Sequence, residues 1–348
     1  MAIITDPKRL ASLMARTLLS RRVVAEAVTH VVDGLIEASL RGVDSHGVHL
    51  FPLYMRELDA GRINRQPTMA WHQTKAAGAL LDADAGFGHH SGCVAMDRAI
   101  AMAIKSGVAF VGVINSNHFG AAACFTLRAA RKGLIGFAFT NTDPLMRAFG
   151  STEAFCGTNP ICVAAPIASE DPFCLDMATT KVTWNAVGLA RESRRPLAAG
   201  IAFDQNGQPT LDPEAAEMLA PIGDYKGYGL GLCIEILCGA LNGGTFSSEV
   251  SEMFGEAKPG RRNICHFLGA LDPDAFCGNR LFADRMVSLA RQVRALRPES
   301  SSTAMLLPGE REGDIQRQRE ISGIPISLSR WESFLSLDPD FVTAVMTS

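Results

Sequence analysis

Between residues 108 and 180 the chain alternates short apolar runs with clusters of small polar residues, and few folds accept that pattern. The runs 108–114, 134–139, 161–165 and 173–175 are bounded by turn formers and are short for helices, so they read as buried strands. Beside them stand Asn115-Ser116-Asn117-His118-Phe119-Gly120, Thr140-Asn141-Thr142-Asp143-Pro144, Gly157-Thr158-Asn159-Pro160 and Asp176-Met177-Ala178-Thr179-Thr180. Polar groups at strand ends are where α/β proteins hold ligands. The stretch therefore predicts a site assembled from several strand termini.

The flanking sequence supplies helices. Apolar spacing predicts two of them over 6–40, split near Ser20-Arg21-Arg22, and another that resumes at Leu53 and stops at Gly61. A strand is expected at 79–81, a helix over 93–107 closed by Gly107, and a helix over 121–132 closed by Gly133. The β-loop-α-β order of 108–140 predicts an α/β layer, with right-handed crossovers wherever neighbouring strands are parallel. Further on come a helix over 184–191, a tight turn at Asp204-Gln205-Asn206-Gly207-Gln208, and an almost uniformly apolar helix over 230–241, expected to be buried on most sides. A strand at 263–271, a helix at 276–296, a polar linker at 298–303, a charged helix after Gly309 and short helices from Ser329 complete the chain.

At 348 residues the chain exceeds a comfortable single core, which predicts subdomains with a cleft between them. A net charge of -3, with 20% charged residues, gives no pull toward nucleic acid or an anionic membrane. The longest apolar stretches break well before the ~20 residues of a membrane span. The nine cysteines show no Cys-x-x-Cys pair and mostly lie in apolar runs, which predicts free thiols in a cytoplasmic protein.

No Gly-x-Gly-x-x-Gly follows a strand, because Leu232 stands where the third glycine would belong after Gly227-Tyr228-Gly229. P-loop, His-Glu-x-x-His and Gly-x-Ser-x-Gly motifs are also missing. What remains is His46 within Asp44-Ser45-His46-Gly47, His118 within its Asn-rich loop, Lys226, and the carboxylates Asp143 and Asp176. Histidine titrates near neutrality and can move the proton that accompanies hydride transfer. Lys226, at the mouth of an apolar helix, is expected in a dry setting facing an anionic substrate or a cofactor phosphate. His30, His49, His72, His89, His90 and His266 read as structural. The neighbours His89 and His90 lack companion ligands, so no metal is expected.

With these clusters assembled, the sequence resembles the type-2 malate/L-lactate dehydrogenase family of NAD(P)-dependent oxidoreductases, which includes ureidoglycolate dehydrogenase, L-sulfolactate dehydrogenase and Δ1-piperideine-2-carboxylate/Δ1-pyrroline-2-carboxylate reductase. The resemblance rests on Asp44-Ser45-His46-Gly47-Val48, the 115–120 loop, Gly157-Thr158-Asn159-Pro160, Asp176-Met177-Ala178-Thr179, Lys226-Gly227 and Leu307-Pro308-Gly309-Glu310, in one order along nearly the whole chain. It implies an α/β, non-Rossmann, L-sulfolactate-dehydrogenase-like fold. A mixed-sheet NAD(P)-binding domain over 71–299 would sit beside a mostly helical domain made of 1–70 and 300–348.

The resemblance also implies roles. Ser45, His46 and His118 would line the reacting centre, with one histidine as acid or base. Asn141, Thr142, Asp176, Met177, Ala178, Lys226, Gly227, Gly309 and Glu310 would hold NAD or NADP, and the chain would form a homodimer. Many relatives carry an arginine where this chain has Leu50, and that arginine suits a substrate carboxylate. Arg147, with Asp143 nearby, is the expected replacement. The activity implied is hydride transfer between nicotinamide and a small 2-hydroxy acid or 2-oxo acid. Reduction of a cyclic imine carboxylate, or NAD(P) binding without catalysis, are the alternatives.

Overall fold

The computed structural model describes residues 2–253, 260–299 and 304–346. Its largest sheet has seven strands in the spatial order Ala70–Lys75, Gly78–Asp82, Val108–Ser116, Ile264–Leu271, Ile135–Thr140, Ile161–Ala165 and Phe173–Met177. Only Gly78–Asp82 and Val108–Ser116 run parallel; the other neighbouring pairs are antiparallel. The β-loop-α-β unit of 108–140 is present, but its two strands do not touch. Ile264–Leu271 lies between them, antiparallel to both, so the helix Ala123–Ala130 crosses over a strand supplied from far along the chain.

Alternation along the strands fixes which face meets which layer. Ala109, Val111 and Val113 point into a core shared with Met96, Ala99, Ile100 and Ala103 of the long helix Gly88–Ser106 and with Phe125 and Ala129 of the short helix. On the other face, Phe110 and Phe267 stack with ring centroids 5.0 Å apart, and Phe110 lies where a Cβ on Gly269 would stand. The Gly88–Ser106 helix ends at Gly107, whose φ of 82° is the left-handed conformation that glycine adopts without steric cost. It begins five residues before the expected start, which carries His89 and His90 into the buried helix.

A second core is built from both ends of the chain. Pro7–Ser20, capped by the Asp6 side chain on the Arg9 amide at 2.7 Å, packs with Ala25–Leu40 and Phe51–Asp59. Leu328–Leu337 and the turn Pro339–Ala344 close it through Trp331, Phe334 and Phe341. The strand Ala2–Thr5, not expected from sequence, pairs with Ile324–Ser327 and ties the two ends together. The expected linker at 298–303 falls mainly on residues 300–303, which lie outside the described residues.

The apolar segment 230–241 departs from expectation. It is a helix, Tyr225–Ile234, followed by a wider turn at Glu235–Gly239 and a tight one at Ala240–Asn242. Its buried face is made largely by Gly227, Gly231, Ile234 and Cys238, while Leu230, Ile236 and Leu241 are 40%, 58% and 62% exposed. Glycines let that face approach Met146 and Cys156 closely, and the large side chains are left outside.

His266 and His89 sit deepest among the histidines of the fold. His266 is bonded through Nδ1 to Thr140 Oγ1 at 2.7 Å and through Nε2 to Ser116 Oγ at 2.8 Å, and stacks on Phe119. His89 packs between Gly34 and Gly120, and neither ring nitrogen has a hydrogen-bond partner. Burial lowers both from an ordinary 6.5 to about 3. Each ring therefore takes a proton more readily unfolded than folded. Their contribution to stability is complete above pH 6.5 and is lost as pH falls from there toward 3, by about 1.4 kcal/mol per pH unit for each. Urea unfolding of His89→Met across this window is expected to show a slope flatter by about that amount than the parent chain; an unchanged slope would refute the burial argument.

Candidate active site

The ends of the central strands, the loop after the Ala25–Leu40 helix and the helix Trp184–Ser193 line a cavity of about 200 Å³. Its wall carries Ser45, His46, His118, Thr142, Asp143, Asp176, Met177 and Ala178 from the expected set. His46 and His118, from different cores, stack with centroids 5.7 Å apart and planes 22° from parallel.

The His46 loop is held from three sides. Arg319 forms a two-pronged pair with Asp44 at 2.6 and 2.9 Å, Ser39 Oγ accepts from the Val48 amide at 2.9 Å, and Asn185 Nδ2 donates to the Ser45 carbonyl at 2.6 Å. Ser45 Oγ lies 2.9 Å from His46 Nδ1. Burial lowers His46 from 6.5 to about 4, so the ring is neutral at physiological pH.

His118 is fixed by Tyr54, whose Oη is 2.7 Å from Nδ1, and more weakly by the Gly120 amide at 3.4 Å. With the amide donating to it, Nδ1 is an acceptor, which puts the hydrogen of the neutral ring on Nε2. Burial holds His118 well below its ordinary value, and the proximity of His46 and Arg262 adds to the shift. Tyr54 was invisible to a reading of polar clusters, because it sits on a helical apolar face and is buried among Phe87, His89 and His118.

Among the described residues, the cations in the cavity are Arg41 and Arg262. Arg262 is 2% exposed, and its Nη2 meets Asp143 Oδ1 at 2.7 Å while Nε donates to the Ser251 carbonyl at 3.1 Å. Burial raises the Asp143 pKa although Arg262 opposes the shift. Leu50 lines the cavity, as expected, but Arg147 does not. Arg147 lies on the strand Met146–Arg147, donates to the Ser151 carbonyl at 2.6 Å and covers the Phe203 ring at 4.4 Å. The buried cation of the cavity wall is Arg262, just ahead of the inserted strand.

Asn141 stands behind the wall. Its Oδ1 accepts from the Cys265 amide at 2.9 Å and its Nδ2 donates to Glu235 Oε2 at 3.1 Å and to the Thr245 carbonyl at 2.8 Å. Asn159 donates to the other oxygen of Glu235 at 2.8 Å and accepts from the Thr142 amide at 3.2 Å. This buried network sets the position of Thr142. Asp176 Oδ2 accepts from the Ala123 amide at 2.8 Å, and burial pushes its pKa up to about 6.

Four expected cofactor residues are elsewhere. Lys226 is exposed, with its ammonium 6.0 Å from the Tyr225 ring centroid, which corrects the dry setting expected for it. Gly227 is buried because a Cβ there would stand 2.3 Å from the Ile222 carbonyl oxygen. Gly309 has φ of 99° and starts the helix Glu310–Ser322, whose Glu310 accepts from the Leu307 amide at 2.7 Å and pairs with Arg294. Glu312, in the first turn of the same helix, reaches the cavity instead.

The malate/L-lactate dehydrogenase family model matches residues 5–334. Ureidoglycolate dehydrogenase (NAD(+)) of Escherichia coli O157:H7 is 35% identical over 301 residues, 86% of either chain. Malate dehydrogenase of Pyrococcus abyssi is 35% identical over 327 residues, 91% of this chain and 89% of that one. Among solved structures, sulfolactate dehydrogenase from Methanocaldococcus jannaschii superposes with a TM-score of 0.89 at 31% identity over 97% of each chain.

Because Asp143 and Arg262 are both buried, removing only one strands the other's charge. Arg262→Met is expected to lower urea-measured stability by about 3 kcal/mol, and adding Asp143→Leu to recover most of that loss. A double variant no more stable than the single one would show that the pair is not the source of the cost.

Proposed function

The chain belongs to the malate/L-lactate dehydrogenase family, and on that premise we propose that it transfers a hydride between NAD or NADP and a small 2-hydroxy acid or its 2-oxo acid. The observation that carries this reading is the stacked His46–His118 pair set beside a buried arginine in one cavity. Two neutral imidazoles supply a proton acceptor, and a guanidinium supplies a partner for a carboxylate.

The cavity suits the nicotinamide half of the cofactor. Small residues Gly120, Ala121, Ala122 and Ala123 leave space beside His118, and Leu145, Met177, Pro160 and Trp184 make apolar walls with few polar groups, as cofactor sites generally do. Thr142, Asp176, Met177 and Ala178 would contact it there. The cofactor supplies hydride chemistry when bound, and the protein supplies orientation and the proton.

In this reading Arg262, kept in place by Asp143, binds the substrate carboxylate. Arg41 adds a second positive charge at the cavity wall. Ser45 and the Nε2–H of His118 donate to the substrate oxygen, and neutral His46, with Nδ1 turned to Ser45 Oγ, takes the hydroxyl proton on its free Nε2. Tyr54 is a positioning residue, because it touches His118 Nδ1 and through it fixes the ring's tautomer. Neutral His46 is the form that accepts a proton, so hydroxy-acid oxidation needs no alkaline activation.

Cyclic imine reduction is the second reading, favoured by one likeness. A Δ1-piperideine-2-carboxylate reductase from Pseudomonas syringae pvar.tomato superposes with a TM-score of 0.86 at 28% identity over 96% of this chain and 99% of that one. The same carboxylate anchor would serve, with the proton delivered to nitrogen.

We place the enzyme in the cytoplasm, in keeping with its nine free thiols. A homodimer is supported by the exposed Leu230, Ile236 and Leu241 face. Sedimentation at micromolar concentration tests this, and a monomer would end the proposal.

Malate, lactate, sulfolactate and ureidoglycolate with NAD or NADP, followed by the absorbance of reduced nicotinamide, test the main reading, and piperideine-2-carboxylate with the reduced cofactors tests the second. His118→Ala is expected to lower kcat by about a hundredfold with cofactor affinity unchanged. Tyr54→Phe is expected to lower kcat by about tenfold at similar KM. A His118→Ala enzyme as fast as the parent would remove that residue from the chemistry.

A further inference from the structure

Away from the cavity, the helices Ala25–Leu40 and Gly88–Ser106 bring three chemically suitable side chains together. His30 Nδ1 is 3.0 Å from His90 Nδ1, and the rings lie 5.3 Å apart, centroid to centroid. Glu26, one turn before His30 on the same helix face, places a carboxylate oxygen so that all three donor atoms lie within 4.8 Å of one another. We propose that Glu26, His30 and His90 form a binding site for a borderline divalent transition-metal cation, zinc in the first instance.

The donor set argues for this chemistry. Two imidazoles and a carboxylate are a combination that zinc accepts, whereas calcium and magnesium prefer oxygen alone. Two nitrogens bound to zinc at ordinary bond lengths and a tetrahedral angle stand roughly 3.3 Å apart, close to the observed spacing. A hydrogen bond between the rings would explain the nitrogen spacing, but it leaves the third ligand on the same face without a role.

The surroundings agree. Arg128, the cation whose charge reaches His30, is neutralised by Asp97 through two bonds of 2.6 Å. Glu26 is exposed, so water can complete the coordination from the solvent side. His89 does not take part; its ring turns the other way, toward Gly34 and Gly120.

The site joins a helix of the terminal core to a helix of the sheet core, so bound metal would act as a clamp between them rather than as a catalyst. Its ligands come from positions 60 residues apart in the His30–His90 pair, which is why the His89-His90 doublet looked isolated in the sequence.

Titration calorimetry of the chelator-stripped full chain with zinc tests the assignment. A Cys233→Ser/Cys277→Ser background removes the two exposed thiols as competing ligands. The expected result is saturable binding of a single equivalent, at least about tenfold weaker in Glu26→Gln and in His30→Gln. Zinc at a hundred times its Kd should raise Tm by on the order of 4 °C, and His30→Gln should abolish the rise. Both variants lie at partly or fully exposed positions, and unchanged far-UV circular dichroism verifies their folding. Binding that is absent in the parent background, or equal in the parent background and both variants, overturns the proposal.

Discussion

The pairing of Ile264–Leu271 between Val108–Ser116 and Ile135–Thr140 is the constraint on which the rest of the molecule depends. Its register sets Ile264 against Ser116 and His266 against Thr140. The start of this strand therefore lies where the other two end. Three chain segments converge at that edge: the loop with His118, the turn with Thr142 and Asp143, and the residue Arg262 just ahead of the strand. The Asn141 bond to the Cys265 amide and the Ser116–His266–Thr140 bridge lock the convergence from below. Buried backbone groups that lose such partners are costly, so register slip is strongly opposed.

Electrostatics in the cavity follow from that burial. Histidines kept from water stay neutral, and an arginine kept from water needs its carboxylate. Arg262 and Asp143 thus enter the interior together, and neither position is free to vary alone. The cation reaches the wall in a poorly screened setting, where a charge-assisted bond to a carboxylate is stronger than at a surface. The two imidazoles come from opposite cores, so the distance between them depends on how those cores are fastened. Arg319 on Asp44, Asn185 on the Ser45 carbonyl and Tyr54 on His118 are fasteners of this kind. The helix Gly88–Ser106 lies between the cores and closes on the Ala25–Leu40 helix at His30 and His90.

Much of this was legible in the sequence, for local reasons. Apolar spacing and glycine stops marked the helices at both ends of the chain and the strands of the central stretch, because periodicity of 3.6 or 2 is written residue by residue. The polar clusters at strand ends announced a site, and Ser45, His46, His118, Thr142, Asp143, Asp176, Met177 and Ala178 do line one cavity. Arg147 falls outside that cavity and Lys226 stands in water rather than in a dry setting, and nothing local in the sequence marks either outcome. Tyr54, Glu235 and Arg262 were missed because each stands in an ordinary helix, apolar run or loop, and acquires its role from a partner far along the chain.

The sequence by itself determined most of the helices and the strands of the central stretch, the absence of a glycine-rich dinucleotide loop and the residue types gathered around those strands. These depend on propensity and spacing, which need no neighbours. Only the tertiary structure decided that a distant strand would separate 108–116 from 135–140, that Arg262 rather than Arg147 would supply the buried cation, and that His30 would meet His90. Such outcomes depend on which buried groups must satisfy one another, and that requirement exists only once the chain has closed on itself.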